Sequence, residues 1–204
     1  MKIVTPNNTT EVTCENPIAK IDKMCSIFLA GTIDDGKSKN WQKEVIEGLS
    51  KYDLPYVTIY NPRRDDWNPN ATQEDIVAQI EWEQDKLKRA TYIFMLLEDK
   101  SKSPISLLEL GEFKDSKKIM VFCSPKFYRW VNVFVFCYDF MIPLNQDTKP
   151  KAVIDSIIDE ISYKEEDKPE NKKETPLFFL SFENFNFKDS KIFNLNKHKN
   201  DNTD

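Results

Sequence analysis

Histidine is nearly absent from this chain: His198, among lysine and asparagine near the end, is the one imidazole in 204 residues. It reads as a solvated tail residue, which excludes a Ser-His-Asp triad and a histidine-built metal centre. Glycine is almost as scarce, confined to Gly31, Gly36, Gly48 and Gly111. Neither GxGxxG nor GxxxxGK[ST] can be written from these positions, so a dinucleotide fingerprint and a P-loop are both excluded. Cys14, Cys25, Cys123 and Cys137 form no CxxC pair for zinc and no dense disulfide framework. Long apolar runs are missing too. The longest aromatic-apolar stretch, residues 131–140, falls short of the ~18 residues that a bilayer span needs. Met1-Lys2-Ile3-Val4-Thr5-Pro6-Asn7 lacks the apolar region of a signal peptide. Positive charge is also in deficit, with 29 Lys+Arg against 34 Asp+Glu and a net charge of −5. There is thus no basic footprint for a phosphate backbone, and no nucleic-acid polymer is expected as a partner. These absences together predict a soluble, reduced, cytoplasmic protein with no membrane partner.

What is present is an alternation of apolar runs and helical stripes. Hydrophobic residues at 40% and charged residues at 31% suit a single globular domain with appendages and a full core. Residues 1–22 read as a polar N-terminal extension broken by Pro6, Asn7, Asn8 and Pro17. Strands are expected at 25–30, 56–60, 92–97 and 118–123, and helices at 41–52, 72–90, 106–117 and 152–161. Residues 131–138 suit a helix or a fifth strand. Near-continuous apolar strands alternating with helices predict an α/β fold, a Rossmann- or flavodoxin-like doubly wound parallel sheet of about five strands flanked by helices. Its main domain would span 23–162, followed by a charged linker at 163–176 and a Phe-rich segment at 177–204. Six phenylalanines in 177–193 must cover their apolar surface, against either the chain's own core or a neighbouring subunit.

Ligands in such sheets bind beyond the carboxyl ends of the strands. Two carboxylates fall near those ends. Glu83 shares a helical stripe with Ile76, Ile80, Leu87 and Ala90, and a charge on a core-facing stripe is costly unless it is paired or used. Glu109 lies in Pro104-Ile105-Ser106-Leu107-Leu108-Glu109-Leu110-Gly111, just inside a predicted helix. Two acids converging on one cleft are the apparatus of glycosidic-bond chemistry. Structural readings stand beside these. Ser106 to Glu109 also spells a capping box, and a helix holding Glu74, Asp75, Glu81 and Asp85 could carry Glu83 as one more surface acid.

Four blocks, taken in order, resemble the nucleoside 2-deoxyribosyltransferases and their relatives over roughly residues 24–140. They are Ile27-Phe28-Leu29-Ala30-Gly31-Thr32-Ile33, Asn61-Pro62-Arg63-Arg64-Asp65-Asp66-Trp67, Gln79-Ile80-Glu81-Trp82-Glu83, and the block that contains Glu109. The resemblance implies a retaining transferase that needs no metal and no cofactor, with nucleosides and free nucleobases as its partners. Glu109 matches the family's nucleophile, and Glu83 stands where many relatives carry an Asp that handles the proton on the base. Phe28 would shape and dry the pocket, or serve simply as a core strand residue. Gly31 and Thr32 would let the sugar approach the backbone. Asn61, Arg64, Asp65 and Trp67 would form a base-recognition loop, or alternatively a salt-bridged turn.

One position departs from the pattern. Where some members hold an Asp six residues before the nucleophile to bind sugar hydroxyls, this chain has Ser103, which with Pro104 also makes a good helix start. Sugar binding would then fall to Asn132 and Arg129, or to a partner chain. A hydrolase acting on deoxynucleosides or their 5′-monophosphates stays open as an alternative, with Ser101-Lys102-Ser103 near the phosphate. A nucleoside- or nucleotide-binding module without catalysis is the third reading. The Phe-rich tail resembles a family segment that helps build the oligomer and approaches a neighbour's active site, which implies a homo-oligomer.

Overall fold

The computed structural model describes residues 1–34, 38–64 and 71–162. Gly36, Asp65, Trp67, the charged linker, the Phe-rich segment and His198 lie outside the described residues. Within them, seven strands form one sheet, covered by helices on both faces. The central strand, β3 (Cys25–Gly31), is flanked by β4 (Val57–Tyr60) and β5 (Tyr92–Leu97), and β6 (Ile119–Cys123) pairs with β5. All four are parallel, and in β3, β5 and β6 the side chains are buried on both faces, which is why these three read as unbroken apolar runs.

The two edges differ from expectation. Residues 1–22 are more than an extension: β1 (Lys2–Val4) pairs in parallel with β4, and β2 (Thr9–Glu11) returns antiparallel on its outer side. At the other edge β7 (Leu144–Asn145) adds a two-residue strand beside β6. Three residues, or only two, cannot show a period that distinguishes strand from loop, so these edges were not legible. The order β2-β1-β4-β3-β5-β6-β7 otherwise fulfils the doubly wound expectation.

Five helices complete the layers: α1 (Trp41–Leu49), α2 (Gln73–Arg89), α3 (Pro104–Glu112), α4 (Trp130–Asp139) and α5 (Pro150–Ser162). Leu87, Leu110, Phe113, Trp130, Val133 and Phe134 place α2, α3 and α4 on one face of the sheet. Trp41, Val45 and Leu49 with Val153, Ile157 and Ile161 place α1 and α5 on the other. Residues 131–138 resolve as a helix, with Val133, Phe134 and Cys137 inward and Val131, Val135 and Tyr138 outward. Among the described residues no helix is long and apolar enough to cross a membrane.

One backbone position controls how the central strands end. Gly31 has φ of 123°, and a Cβ built there would lie 2.0 Å from the carbonyl oxygen of Leu96. Thr32 then donates its N–H to that same oxygen at 2.9 Å, so the chain leaves β3 against the backbone of β5. A side chain at 31 therefore meets backbone strain and a rigid backbone neighbour together. Gly31→Ala is expected to cost about 2 kcal/mol or more. Chemical denaturation measures this, and an unchanged midpoint would mean that β3 and β5 can move apart without penalty.

Candidate active site

In this topology β3 connects toward β4 and β5 connects toward β6, so a crevice opens beyond the carboxyl ends of β3 and β5. A cleft of about 350 Å³ occupies it. Each wall comes from a different segment. The end of β3 supplies Phe28, Gly31, Thr32 and Asp34; the loop after β4 supplies Pro62 and Arg64; α2 supplies Gln79 and Glu83; and the start of α3 supplies Ser103 and Glu109.

Helix α2 begins with a capping box in which Thr72 accepts from the Asp75 N–H and the Asp75 carboxylate accepts from the Thr72 N–H. Its stripe divides in two. Leu87 is 1% exposed against the sheet, whereas Ile76 and Ile80 are 47% and 46% exposed. The expectation that Glu83 lies on a wholly core-facing stripe is therefore corrected. Running antiparallel to the strands, α2 packs Leu87 near its end on the sheet and leaves Ile76 and Ile80 nearer its start exposed, and Glu83 between them faces the cleft. Phe28 is buried on β3 and touches Trp82 of α2, ring centroids 6.3 Å apart, so it is at once a core residue and a cleft wall.

Glu109 sits inside α3, which starts at Pro104 with Ser103 as its N-cap position. This helix start lies before the expected one, so Ser106 and Glu109 cannot form the capping box that the sequence allowed. Burial pushes the Glu109 carboxyl up to about 8, and the charges of Glu83 and then Glu112 add to the shift. Burial also raises the Glu83 carboxyl, while the hydrogen bond from Gln79 works against that rise. Glu109 thus keeps its proton near neutrality, and the charge that Glu83 can carry is one of the reasons, so the two acids are linked rather than independent.

Gln79 is the residue that sequence reasoning missed. Its Nε2 donates to Glu83 Oε1 at 2.6 Å and to the Pro62 carbonyl at 3.0 Å, tying α2 to the loop after β4. Its spacing of four residues from Glu83 was the available signal, since i and i+4 share a helix face. Arg63 was passed over in favour of Arg64, yet it is the buried one; its guanidinium donates to the backbone carbonyls of Ser38 and Lys39 and clamps the loop before α1.

The structure gathers Phe28, Gly31, Thr32, Arg64, Glu83, Ser103 and Glu109 around one cleft and leaves two expected residues elsewhere. Asn61 accepts from the Arg63 N–H at 3.1 Å and lines a separate groove toward the N-terminal strands. Asn132, with Arg129, lines a groove between α3 and α4. Asn132 and Arg129, expected beside a partner chain as the alternatives for the sugar, thus stand apart from this cleft, because α4 follows β6, one strand further from β3.

The profile of a family described as nucleoside 2-deoxyribosyltransferase like matches residues 24–127. That span runs from the start of β3 through both carboxylates. A solved structure, a conserved protein from Enterococcus faecalis V583, is similar with a TM-score of 0.40 at 12% identity, covering 68% of this chain and 98% of that one. No curated protein matches.

The raised Glu109 carboxyl has a consequence for stability. The fold favours its neutral form, so this contribution is complete below the ordinary carboxyl range and is lost as pH rises through about 8. Glu109→Gln keeps the shape and removes the ionisation. Its thermal midpoint is expected to match wild type near pH 5 and to exceed it increasingly toward pH 8. A constant difference across that range would show that Glu109 titrates normally.

Proposed function

The chain belongs to the nucleoside 2-deoxyribosyltransferase-like family, and from that premise we propose that it transfers a 2-deoxyribosyl group between nucleobases through a covalent bond to Glu109. The observation that carries this reading is the convergence of two half-buried carboxylates on one cleft, both raised by burial and one of them also by the other's charge. Their shared proton is what the reaction consumes and returns. With substrate in place the proton belongs on Glu83, leaving Glu109 ionised. A carboxylate oxygen of Glu109 attacks C1′, the C1′–N bond breaks with its electron pair moving to the base, and Glu83 protonates the departing nitrogen. An incoming base then attacks C1′, the bond to Glu109 breaks, and Glu83 takes up the proton that the new base sheds. Two displacements at one carbon retain the configuration. The missing 2′-hydroxyl eases the oxocarbenium-like transition state, so side chains alone supply the electrostatics.

Gln79 fits the same scheme. A donor held on Glu83 steadies the carboxylate between proton transfers, and the Pro62 carbonyl fixes the amide's orientation. Arg64 reaches the cleft from the loop after β4, suitable for a base edge.

Incubating deoxyinosine with free cytosine or adenine and separating the products tests the reading. A new deoxynucleoside supports it; free hypoxanthine alone makes the chain a hydrolase, and no change leaves a binding module. Glu109→Gln is expected to lower exchange by roughly 10³-fold or more. Enzyme quenched with substrate should carry a deoxyribosyl adduct on the Glu109 peptide. Glu83→Ala is expected to slow ordinary nucleosides while sparing those whose base leaves without protonation. Equal damage with both would make Glu83 structural.

The proposal includes a homo-oligomer. Ile76, Val77 and Ile80 on α2, Ile105 and Leu108 on α3, and Val131 and Val135 on α4 are exposed on the same side of the sheet, more apolar surface than a lone chain usually shows to water. Light scattering should give a multiple of the 24.0 kDa chain mass; a monomer at assay concentration would refute it.

A further inference from the structure

Ser103 replaces the acid that relatives use on the sugar, and its surroundings contain an acid one step removed. Three hydroxyls form a ladder: Thr32 Oγ1 lies 2.6 Å from Ser103 Oγ, Ser103 Oγ lies 2.8 Å from Ser101 Oγ, and Ser101 donates to Asp34 Oδ1 at 2.7 Å. We propose that Asp34, acting through Ser101 and Ser103, makes this wall of the cleft an acceptor of hydroxyl hydrogens, so that it selects a free sugar hydroxyl over a phosphate ester. The inference rests on the nucleoside reading above and names how the sugar's end is recognised.

The direction of the ladder follows from counting hydrogens. A hydroxyl has one hydrogen and two lone pairs, and an ionised carboxylate only accepts. Ser101 spends its hydrogen on Asp34. It also accepts from the Ser103 N–H at 3.0 Å, so its second lone pair is left for the Ser103 hydroxyl. Ser103 must therefore donate to Ser101. Thr32 must in turn donate to Ser103, whose only hydrogen is already spent on Ser101, while the Thr32 oxygen also accepts from the Glu98 N–H at 3.0 Å. Every hydrogen in the ladder points toward Asp34. Ser103 and Thr32, both on the cleft wall, are each left with one unused lone pair and no hydroxyl hydrogen to offer. A sugar hydroxyl can donate to these two oxygens, whereas a phosphate oxygen, itself an acceptor, finds no partner in either.

Local structure supports the assignment. Ser103 stands at the N-cap of α3 with φ of 43° and ψ of 50°, yet its hydroxyl makes no capping bond. A left-handed backbone is strained for serine, and here it turns the hydroxyl away from the helix and into the ladder. An open helix N-terminus by itself attracts a phosphate. Against that attraction stand the Asp34 carboxylate and the neighbouring Glu98, whose carboxyl is raised by burial and then by the Asp34 charge. With C1′ at Glu109 and the base toward Gln79 and Arg64, the wall at Ser103 receives the end of the sugar that bears the 5′-hydroxyl.

Calorimetric titration in a Glu109→Gln background, which transfers no sugar, tests the ladder with three probes: a 2′-deoxynucleoside, its 2′,5′-dideoxy analogue and its 5′-monophosphate. The nucleoside is expected to bind about tenfold tighter than the dideoxy analogue and about a hundredfold tighter than the monophosphate. Asp34 is exposed on its loop, so its substitution leaves the fold intact. Asp34→Ala frees the hydroxyls to reverse and should shrink the nucleoside-to-monophosphate gap by about tenfold. Asp34→Asn keeps an acceptor for Ser101 and loses only the charge, so it should keep most of the gap. A monophosphate bound as tightly as the nucleoside, a gap that Asp34→Ala leaves unmoved, or an Asp34→Asn that behaves like Asp34→Ala would each overturn the inference. Undetectable nucleoside binding would do the same. Base exchange by the wild type on monophosphates in preference to nucleosides would sink this inference and leave the transferase reading standing; its absence with both would sink the transferase reading, and the affinities would still decide the ladder.

Discussion

The closeness of β3 and β5 at Gly31 is the constraint from which the cleft is built. No side chain fits between position 31 and the Leu96 carbonyl, and the next residue immediately bonds to that carbonyl. The chain is thereby held flat against its neighbour for one residue longer than the pleat requires. Thr32 is fixed with its hydroxyl toward Ser103 and the Glu98 N–H, and its carbonyl toward the indole N–H of Trp41 at 3.0 Å. Trp41 belongs to the opposite helical layer and is 1% exposed. The position of the sugar wall is therefore set by the packing of both faces of the sheet. A buried tryptophan whose N–H is satisfied contributes both apolar area and a directional tether, so the cleft floor inherits the rigidity of the core.

On the other side of the cleft the governing effect is electrostatic. Burial lifts both carboxyls, and the charge of Glu83 lifts that of Glu109 further, so Glu109 keeps a proton available near neutral pH. That is a property of placement. Glu83 and Glu109 come from different helices, and each is presented by a helix whose first turns extend past the strand ends. The Gln79 bridge prevents the α2 acid from drifting toward water, because its amide is committed at the Pro62 carbonyl as well as at Glu83.

The parts of this arrangement that were legible in the sequence were those that depend on local pattern. Unbroken apolar runs marked β3, β5 and β6, and 3.6-residue stripes marked α1, α2 and α5, since burial on two faces or on one leaves a period in the chain. The two acids were legible as charges in apolar company. What could not be read depends on juxtaposition. Asp34 meets Ser101 across 67 positions, and nothing in either segment announces the other. The α2 stripe misled in the opposite sense: Ile76 and Ile80 carry the period of a core face, but the sheet ends before reaching them. Asn61 and Asn132 were placed by analogy with a motif, and the structure sends them to neighbouring grooves because the turn after β4 and the position of α4 are tertiary features.

The edge strands of the sheet set a limit on how this protein can meet its own kind. At one margin lies β2, three exposed residues long, and at the other β7, with only two. At ~3.4 Å per residue such margins offer scarcely ten ångströms of unpaired backbone, too little to nucleate the strand-by-strand addition that makes open sheets prone to fibre formation. A sheet closed off in this way removes one whole mode of self-association. Among the described residues, contact between copies is then left to side chains rather than to sheet edges, a geometry that favours a discrete particle over an extending ribbon.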